Sequence, residues 1–163
     1  MPVPQTFTLG LISDTHGLLR DEALALLSGS DHIIHAGDIG DASIVPRLEE
    51  IAPVSAIRGN NDEMSWAQAF PEELTVMLGG VWVHVIHSLA DLRIDSAAKK
   101  WGMVVAGHSH KPLIEYRDDV LFINPGSAGK RRFSLPLTVA RVEITGTVLR
   151  PSILPIVLPG ILS

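Results

Sequence analysis

The chain has 163 residues, a length that favours one domain spanning residues 1–163. Its 13 basic and 18 acidic residues give a formal net charge of −5 with histidine neutral, which argues against a broad electrostatic surface for nucleic acid or anionic lipid. The absence of cysteine excludes disulfides, thiolate metal sites and cysteine nucleophiles. Seven histidines, in contrast, are many for so short a chain.

The N-terminal segment reads as a first strand and not as a signal peptide. No Lys or Arg precedes its apolar run, which ends at Asp14. No stretch of the chain approaches the roughly 20 apolar residues needed to span a bilayer. We therefore expect a soluble, cytoplasmic protein without a membrane partner.

The first half of the chain alternates strand and helix patterns. We predict strands at residues 6–13, 31–36 and 53–57, separated by helices at Asp21–Leu27 and at residues 43–51. Ser43 is the expected cap of the second helix. Strands separated by helices imply right-handed crossovers and a sheet with a parallel centre.

The second half favours hairpins. Three pairs of β-prone runs flank short turns, at residues 72–78 and 81–87, 113–116 and 120–123, and 137–144 and 147–154. Between the first two hairpins we predict a helix at residues 91–101 and a strand at residues 103–106. The pattern indicates an α/β fold with two mixed sheets, parallel in the middle and antiparallel at the edges.

Five predicted strands end in residues that bind hard or borderline metals. In an open α/β sheet, ligands collect where such loops converge at the carboxyl ends of strands. In extended backbone, residues i and i+2 point to the same side, so each pair with one intervening residue could face one cavity. The candidates are Asp14, His16, Asp38, Asn60, Asp62, His87, His108 and His110.

Each of these motifs also has an ordinary explanation as a turn or a strand-end histidine, and only their joint occurrence at strand ends favours a metal site. The remaining histidines fit that site less well. We expect His84 to be a half-buried or surface strand residue, since its odd spacing from His87 turns it to the other face. His32 should be exposed, and His35 should be a core residue or a support for the ligands.

In their order along the chain, the motifs resemble the calcineurin-like metallophosphoesterase superfamily. Its small prokaryotic YfcE-like phosphodiesterase subgroup is the most similar, because of the short length, the Gly-Asn-x-Asp form and Asn124-Pro125-Gly126-Ser127. The resemblance runs from about residue 6 to residue 144. It implies a four-layer α/β/β/α sandwich with two metal ions between loops at one sheet edge.

The resemblance also implies the ligands and the chemistry. One ion would take Asp14, His16, Asp38 and His110, and the other Asp38, Asn60, His87 and His108, with Asp38 shared. Imidazole with carboxylate and amide oxygen suits manganese, with zinc, nickel, iron or cobalt as alternatives. The expected reaction is hydrolysis of a phosphate ester, most simply a phosphodiester, by in-line attack of a hydroxide bridging the two ions, so that no protein nucleophile is required.

Two positions depart from the family pattern. Asn61 stands where many members have a histidine that protonates the leaving group, and Ser88 follows His87 where glycine is common. A neutral amide cannot supply a proton, so we expect slow turnover of esters with basic leaving groups. Asn61 and Arg58 are our candidates for substrate binding, although a surface residue at a strand end is the simpler interpretation of Arg58.

A second interpretation is a non-catalytic, protein-binding scaffold, as in the retromer subunit that shares this fold with a degraded metal site. The seven metal-competent residues argue against it.

The expected partner is a small phosphate ester, with nucleic acid only as a phosphodiester substrate. The apolar C-terminal segment, residues 151–163, favours an edge strand or a contact in a homo-oligomer over a helix. Lys130, Arg131 and Arg132 could steer an anionic substrate or form a solvated loop.

Overall fold

The computed structural model describes residues 3–132 and 134–160, and within them the chain forms two five-stranded sheets. In chain order the strands are β1 (Thr6–Ile12), β2 (His32–His35), β3 (Val54–Ala56), β4 (Glu73–Leu78), β5 (Val81–Ile86), β6 (Met103–Val105), β7 (Leu113–Arg117), β8 (Val120–Asn124), β9 (Thr138–Thr145) and β10 (Val148–Pro155). Two helices, α1 (Asp21–Leu27) and α2 (Ile44–Glu49), connect the first three strands. The two mixed sheets predicted from the sequence are thereby confirmed.

The first sheet has the order β10-β9-β1-β2-β3, and the second has the order β4-β5-β6-β8-β7. In the first sheet β1, β2 and β3 run parallel, while β9 and β10 add to β1 antiparallel. In the second, β5, β6 and β8 run parallel between antiparallel edge strands. The loops that follow β1, β2, β3, β5 and β6 carry the candidate ligands.

Three apolar layers hold these elements together. The inner faces of the two sheets pack on each other through residues such as Leu11, Val85 and Val105, all fully buried. Helices α1 and α2 cover the outer face of the first sheet, where Leu27 and Leu48 are buried. Alternation along the strands of the first sheet supplies residues to these two layers, because successive side chains point to opposite faces. The third layer lies on the outer face of the second sheet.

The outer face of the second sheet is covered by 3₁₀ segments and not by the predicted helix at residues 91–101. Segments Leu89–Asp91 and Ser96–Lys100 flank an extended stretch. Leu92 and Trp101 pack on the sheet, but residues 93–96 are exposed. Without a continuous apolar stripe, a helix of this length gains too little from packing to form.

The cap of α2 also differs from the prediction. Ser43 makes no side-chain cap bond to the helix, and its hydroxyl instead donates to Asp41 Oδ1 at 2.7 Å. The same carboxylate oxygen accepts the Ser43 backbone N–H at 2.8 Å. Asp41 therefore organises the turn that leads into the helix.

The C-terminal segment packs on its own chain as far as Leu158. Its first part completes the edge strand β10, and Ile156 is buried while Leu158 packs against the layer under the helices. Residues 161–163 lie outside the described residues. Among the described residues, no helix is long and apolar enough to cross a membrane.

Candidate metal centre

Six of the predicted ligands form two clusters of three at the edge where the loops meet. In each cluster the ligand atoms lie within 4.8 Å of one another, and the clusters are Asp14, His16 and His110, and Asp38, His87 and His108. The predicted seventh ligand, Asn60, lines the same groove as His87 and His108. The structure thus brings together side chains that are up to 96 positions apart in the sequence.

The two clusters adjoin each other at Asp38. His16 Nε2 lies 3.7 Å from Asp14 Oδ1 and 3.6 Å from Asp38 Oδ2. Asp38 Oδ2 is also 3.2 Å from His87 Nε2, in the other cluster. Within the first cluster, His110 Nε2 is 3.4 Å from Asp14 Oδ1. One carboxylate therefore faces ligands of both clusters.

The backbone at these ligands is left-handed, which corrects the extended geometry assumed for the paired residues. Five ligands have positive φ angles: Asp14 at 55°, His16 at 45°, Asp38 at 55°, His108 at 71° and His110 at 62°. This conformation costs about 1–2 kcal/mol for a residue with a side chain, although Asp and His tolerate it better than most. The turns also separate His108 from His110, which belong to different clusters.

The polar atoms in the clusters fit a cation. His87 Nδ1 lies 2.7 Å from the Ala36 carbonyl and must donate to it, so Nε2 of the neutral ring is an acceptor. That acceptor faces Asp38 Oδ2, and it is buried without a hydrogen-bond partner, as is Asp14 Oδ1. Since acceptors that face one another are unfavourable without a positive charge between them, the donor set suits a metal ion.

The pKa values of these residues reflect the same crowding. Burial opposes protonation of His87, but the adjacent Asp38 carboxylate outweighs burial, and the pKa of His87 is raised. Burial likewise works against the ionised form of Asp38, yet His87 and the Asn61 backbone N–H hold its pKa at about 2. Asp38 is therefore a carboxylate at neutral pH, as a metal ligand must be.

Asp62, a candidate from the sequence, lies outside both clusters and supports them through the backbone. It is buried, and its carboxylate accepts the N–H groups of Ile39 at 3.0 Å, Gly40 at 3.0 Å and Gly59 at 2.8 Å. These bonds tie the loop after β3 to the loop after β2. Asp62 thereby holds Gly59 against Asp38, where a larger residue would collide with the carboxylate.

The segment after β8 supports the other loops. Asn124 Nδ2 donates to Gly107 O at 3.0 Å and to Ser109 Oγ at 3.1 Å, on either side of His108. Ser127 Oγ donates to the Asp14 carbonyl at 3.1 Å. Sequence reasoning noticed Asn124-Pro125-Gly126-Ser127 only as part of the family resemblance, and the structure assigns these residues a role in fixing the ligand loops.

The remaining histidines lie away from the clusters. His35 is fully buried and supports the loops, in agreement with its interpretation as core or support. His84 is buried more deeply than predicted, because it stacks on Trp101 with ring centroids 4.0 Å apart and contacts Thr75 Oγ1 at 2.7 Å. His32 is half-buried, not exposed, and contacts Ser55 Oγ at 2.8 Å.

The two proposed substrate contacts, Asn61 and Arg58, are both engaged with protein groups. Asn61 donates from its backbone N–H to Asp38 Oδ1 at 3.0 Å and from Nδ2 to Asp38 Oδ2 at 3.1 Å. Arg58 donates to the Phe70 carbonyl and, from Nη2, to Glu72 Oε1 at 3.3 Å. Arg58 nevertheless lines the groove beside the second cluster.

That groove has a volume of about 980 Å³ and opens from the second cluster. Besides three ligands, its lining includes Arg58, Leu92 and Arg93. Three acidic residues, Glu72, Glu73 and Asp91, line the same groove. The groove therefore presents charges of both signs beside the second cluster.

A two-sheet α/β protein with adjacent Asp and His clusters at one edge has the architecture and the donor set of a metal-dependent hydrolase. Residues 7–147 match the calcineurin-like phosphoesterase superfamily domain, and the chain belongs to this superfamily. The resemblance noted in the sequence is thereby confirmed.

Two curated relatives come from Methanocaldococcus jannaschii. The first, a probable metallophosphoesterase, is 34% identical over 133 residues, which cover 75% of this chain and 68% of the relative. The second, a phosphodiesterase, is 29% identical over 136 residues, which cover 72% and 82%.

Solved structures share the fold. A predicted phosphoesterase from Streptococcus pneumoniae superposes with a TM-score of 0.73 and 25% identity, covering 96% of this chain and 95% of that one. Vps29 from Chaetomium thermophilum also has a TM-score of 0.73, with 16% identity and coverage of 90% and 95%. At that identity the second similarity concerns the fold alone.

Proposed function

We propose that this protein is a phosphodiesterase that uses two divalent metal ions, with manganese as the expected metal. The observation that carries the proposal is the pair of adjoining clusters with unpartnered acceptor atoms aimed into them. Asp14, His16 and His110 would hold one ion, and Asn60, His87 and His108 the other, while Asp38 faces both. When bound, such a pair supplies a hydroxide nucleophile at neutral pH and neutralises charge on the phosphate oxygens.

The charges of the site suit an anionic substrate. Two divalent ions would bring four positive charges, and the carboxylates of Asp14 and Asp38 return two negative ones. The other five ligands are neutral imidazoles and an amide. The centre would therefore remain positive, which allows a chain with a net charge of −5 to attract a phosphate ester at this place.

The groove beside the second cluster supports a diester over a monoester. A diester carries a second organic group, which needs a place next to the reacting phosphate. The groove offers such a place, with apolar surface from Ile86 and Leu92 and charged groups of both signs, including Arg58 and Arg93. The phosphodiesterase among the relatives is in line with this choice.

Arg58 is our candidate for contact with that second group. Its bonds to Phe70 and Glu72 fix the guanidinium at the wall of the groove, so that little side-chain entropy is lost when a substrate binds. Asn61, which is exposed and bonded to Asp38, is the second candidate for contact with substrate. Because Asn61 cannot act as an acid, the protonation of a basic leaving group must come from water.

Hydrolysis of bis(p-nitrophenyl) phosphate by the manganese-loaded protein tests the proposal. We expect activity that is lost after treatment with a chelator, restored by manganese, and absent in Asp38→Asn. Asp118→Asn is a matched control, because Asp118 lies in the exposed β7–β8 turn, at the opposite end of β8 from Asn124. Activity that persists in chelator, or an active Asp38→Asn protein, would contradict the proposal.

The alternative is a protein-binding scaffold, which the shared fold with Vps29 brings into consideration. The retained metal-competent side chains argue for catalysis, since a scaffold has no use for unpartnered buried acceptors. Absence of turnover on mono- and diesters in a protein that binds two manganese ions would favour the scaffold.

Location and assembly stay predictions. A cytoplasmic location is expected from the sequence. The prediction of a homo-oligomer rested on an exposed apolar tail, but part of that tail packs on its own chain. Among the tail residues that the structure describes, Val157 is a large apolar side chain that stays mostly exposed, at 73%. A monomer mass in analytical ultracentrifugation would contradict the predicted homo-oligomer.

A further inference from the structure

His35 and Thr15 form a buried connection between the two loops that carry the aspartate ligands. His35 Nδ1 accepts the Gly37 N–H at 3.1 Å, and His35 Nε2 lies 3.0 Å from Thr15 Oγ1. The Thr15 hydroxyl donates its one proton to the Ile39 carbonyl at 2.8 Å, so the Nε2–H of His35 must donate to Thr15. We call this chain of three bonds the His35–Thr15 link.

The position of the link gives it a role at the metal centre. Thr15 stands between the ligands Asp14 and His16, while Gly37 and Ile39 flank Asp38. Both side chains of the link are fully buried, so water does not compete for these bonds. All three flanked ligands, Asp14, His16 and Asp38, have left-handed backbone, which surrounding contacts must hold in place.

Backbone bonds also join the two loops. The N–H groups of Asp14, His16 and Gly17 donate to the carbonyls of Gly37 at 3.0 Å, Asp38 at 2.9 Å and Ile39 at 2.8 Å. The His35–Thr15 link joins the same loops through side chains, because the Thr15 hydroxyl contacts His35 at the end of β2 and donates to the Ile39 carbonyl. The link therefore reinforces the backbone bonds at the place where the loops leave the sheet.

We propose that the His35–Thr15 link sets the spacing between the two metal clusters, so that binding of one ion prepares the site for the second. This inference rests on the proposed metal pair. Asp38 can serve both clusters only while its loop keeps a fixed distance from the Asp14 loop. Without the link, Asp38 follows whichever ion binds first. His35 and Thr15 are positioning residues, since neither belongs to the clusters.

Manganese binding by Thr15→Val tests the proposal, because valine keeps the shape of threonine and removes the hydroxyl. Binding is followed by calorimetry, and the distance between ions by electron paramagnetic resonance, in which paired Mn²⁺ ions differ from isolated ones. We expect two paired ions in the wild type and in Thr15→Ser. In Thr15→Val we expect the first ion to bind nearly as before and the second to bind roughly 10- to 100-fold more weakly.

Two further variants keep the test decisive. His35→Asn should keep the bond to Gly37, but its side chain is too short to reach Thr15. If Thr15→Val fails to fold, His35→Asn provides the same test, and it should likewise weaken binding of the second ion. His32→Asn, at the opposite end of β2, should bind manganese like the wild type. If Thr15→Val loses thermal stability but binds two paired ions normally, the link is merely structural and the inference is overturned. A wild type that binds fewer than two ions overturns the proposed metal pair itself.

Discussion

The stability of the metal-free protein should fall between pH 8 and pH 5 because of His35. This imidazole is fully buried, and burial lowers its pKa to about 4. Protonation would also place a new N–H at Nδ1 against the Gly37 N–H that the ring now accepts. In the unfolded chain, the same histidine takes up a proton at about pH 6.5.

The sign and the size of the effect follow from these two pKa values. Between pH 6.5 and pH 4 the unfolded chain binds more protons than the folded one at His35, so the free energy of unfolding falls as the pH falls. At pH 5 the loss relative to pH 8 is about 2 kcal/mol, and it reaches about 3 kcal/mol below the folded pKa. Above the pKa of the histidine in the unfolded chain, neutral His35 makes its full contribution to the free energy of unfolding.

Urea unfolding in the presence of a chelator measures this contribution. His35→Asn removes the titrating ring, and the other histidines titrate in both proteins and cancel in the difference. The difference in unfolding free energy between wild type and variant should shrink by about 2 kcal/mol from pH 8 to pH 5, which corresponds to roughly 1 M urea in the midpoint. Parallel pH profiles would refute the assignment of a neutral, buried His35.

Three substitutions at the candidate site give further tests. Gly59→Ala should displace the Asp38 carboxylate, because the added Cβ would collide with it. The variant should lose about 1–3 kcal/mol of stability in thermal unfolding and should bind one manganese ion fewer. Binding of two ions would contradict the close packing of Gly59 on Asp38. Asn61→His should speed hydrolysis of diesters with basic leaving groups by about 100-fold and leave p-nitrophenyl esters nearly unchanged, whereas equal rates for both classes would exclude a missing acid. Arg58→Lys keeps the charge but cannot reproduce the two-sided contact with Phe70 and Glu72, so KM should rise roughly tenfold at nearly constant kcat. An unchanged KM would contradict a role of Arg58 in substrate binding.

The sequence was sufficient for the sheets because local patterns determined them. Alternating apolar residues and short polar turns predicted the strands to within one or two residues, and α1 was predicted with its observed bounds. The convergence of the ligand loops followed from a general property of parallel strands, whose carboxyl ends share an edge. Where packing decides, the prediction was wrong, as in the 3₁₀ segments that replace the helix at residues 91–101.

The supports of the site could not be predicted from local patterns. His35 and Asp62 form bonds to loops that are distant in the sequence, and nothing in their neighbours indicates which groups they meet. Asn61 was expected to face substrate, yet both its N–H groups turn to Asp38. Such bonds depend on the distance between loops, which is a product of the whole fold.

The left-handed ligands connect stability with function. Among the described residues, seven besides glycine have left-handed backbone; five of them are candidate ligands, and the other two are Asp118 and Asp119 in the β7–β8 turn. Two buried acceptors of the site, Asp14 Oδ1 and His87 Nε2, have no hydrogen-bond partner. Both kinds of cost fall on loops that meet at the candidate site, while the strands that carry them are regularly paired. A protein that only presented a surface to a partner would gain stability by relaxing these loops. A cation bound between the acceptors offsets both costs at once, because it binds the folded chain and stabilises it. The distribution of strain therefore favours a centre built to hold metal over an inert scaffold.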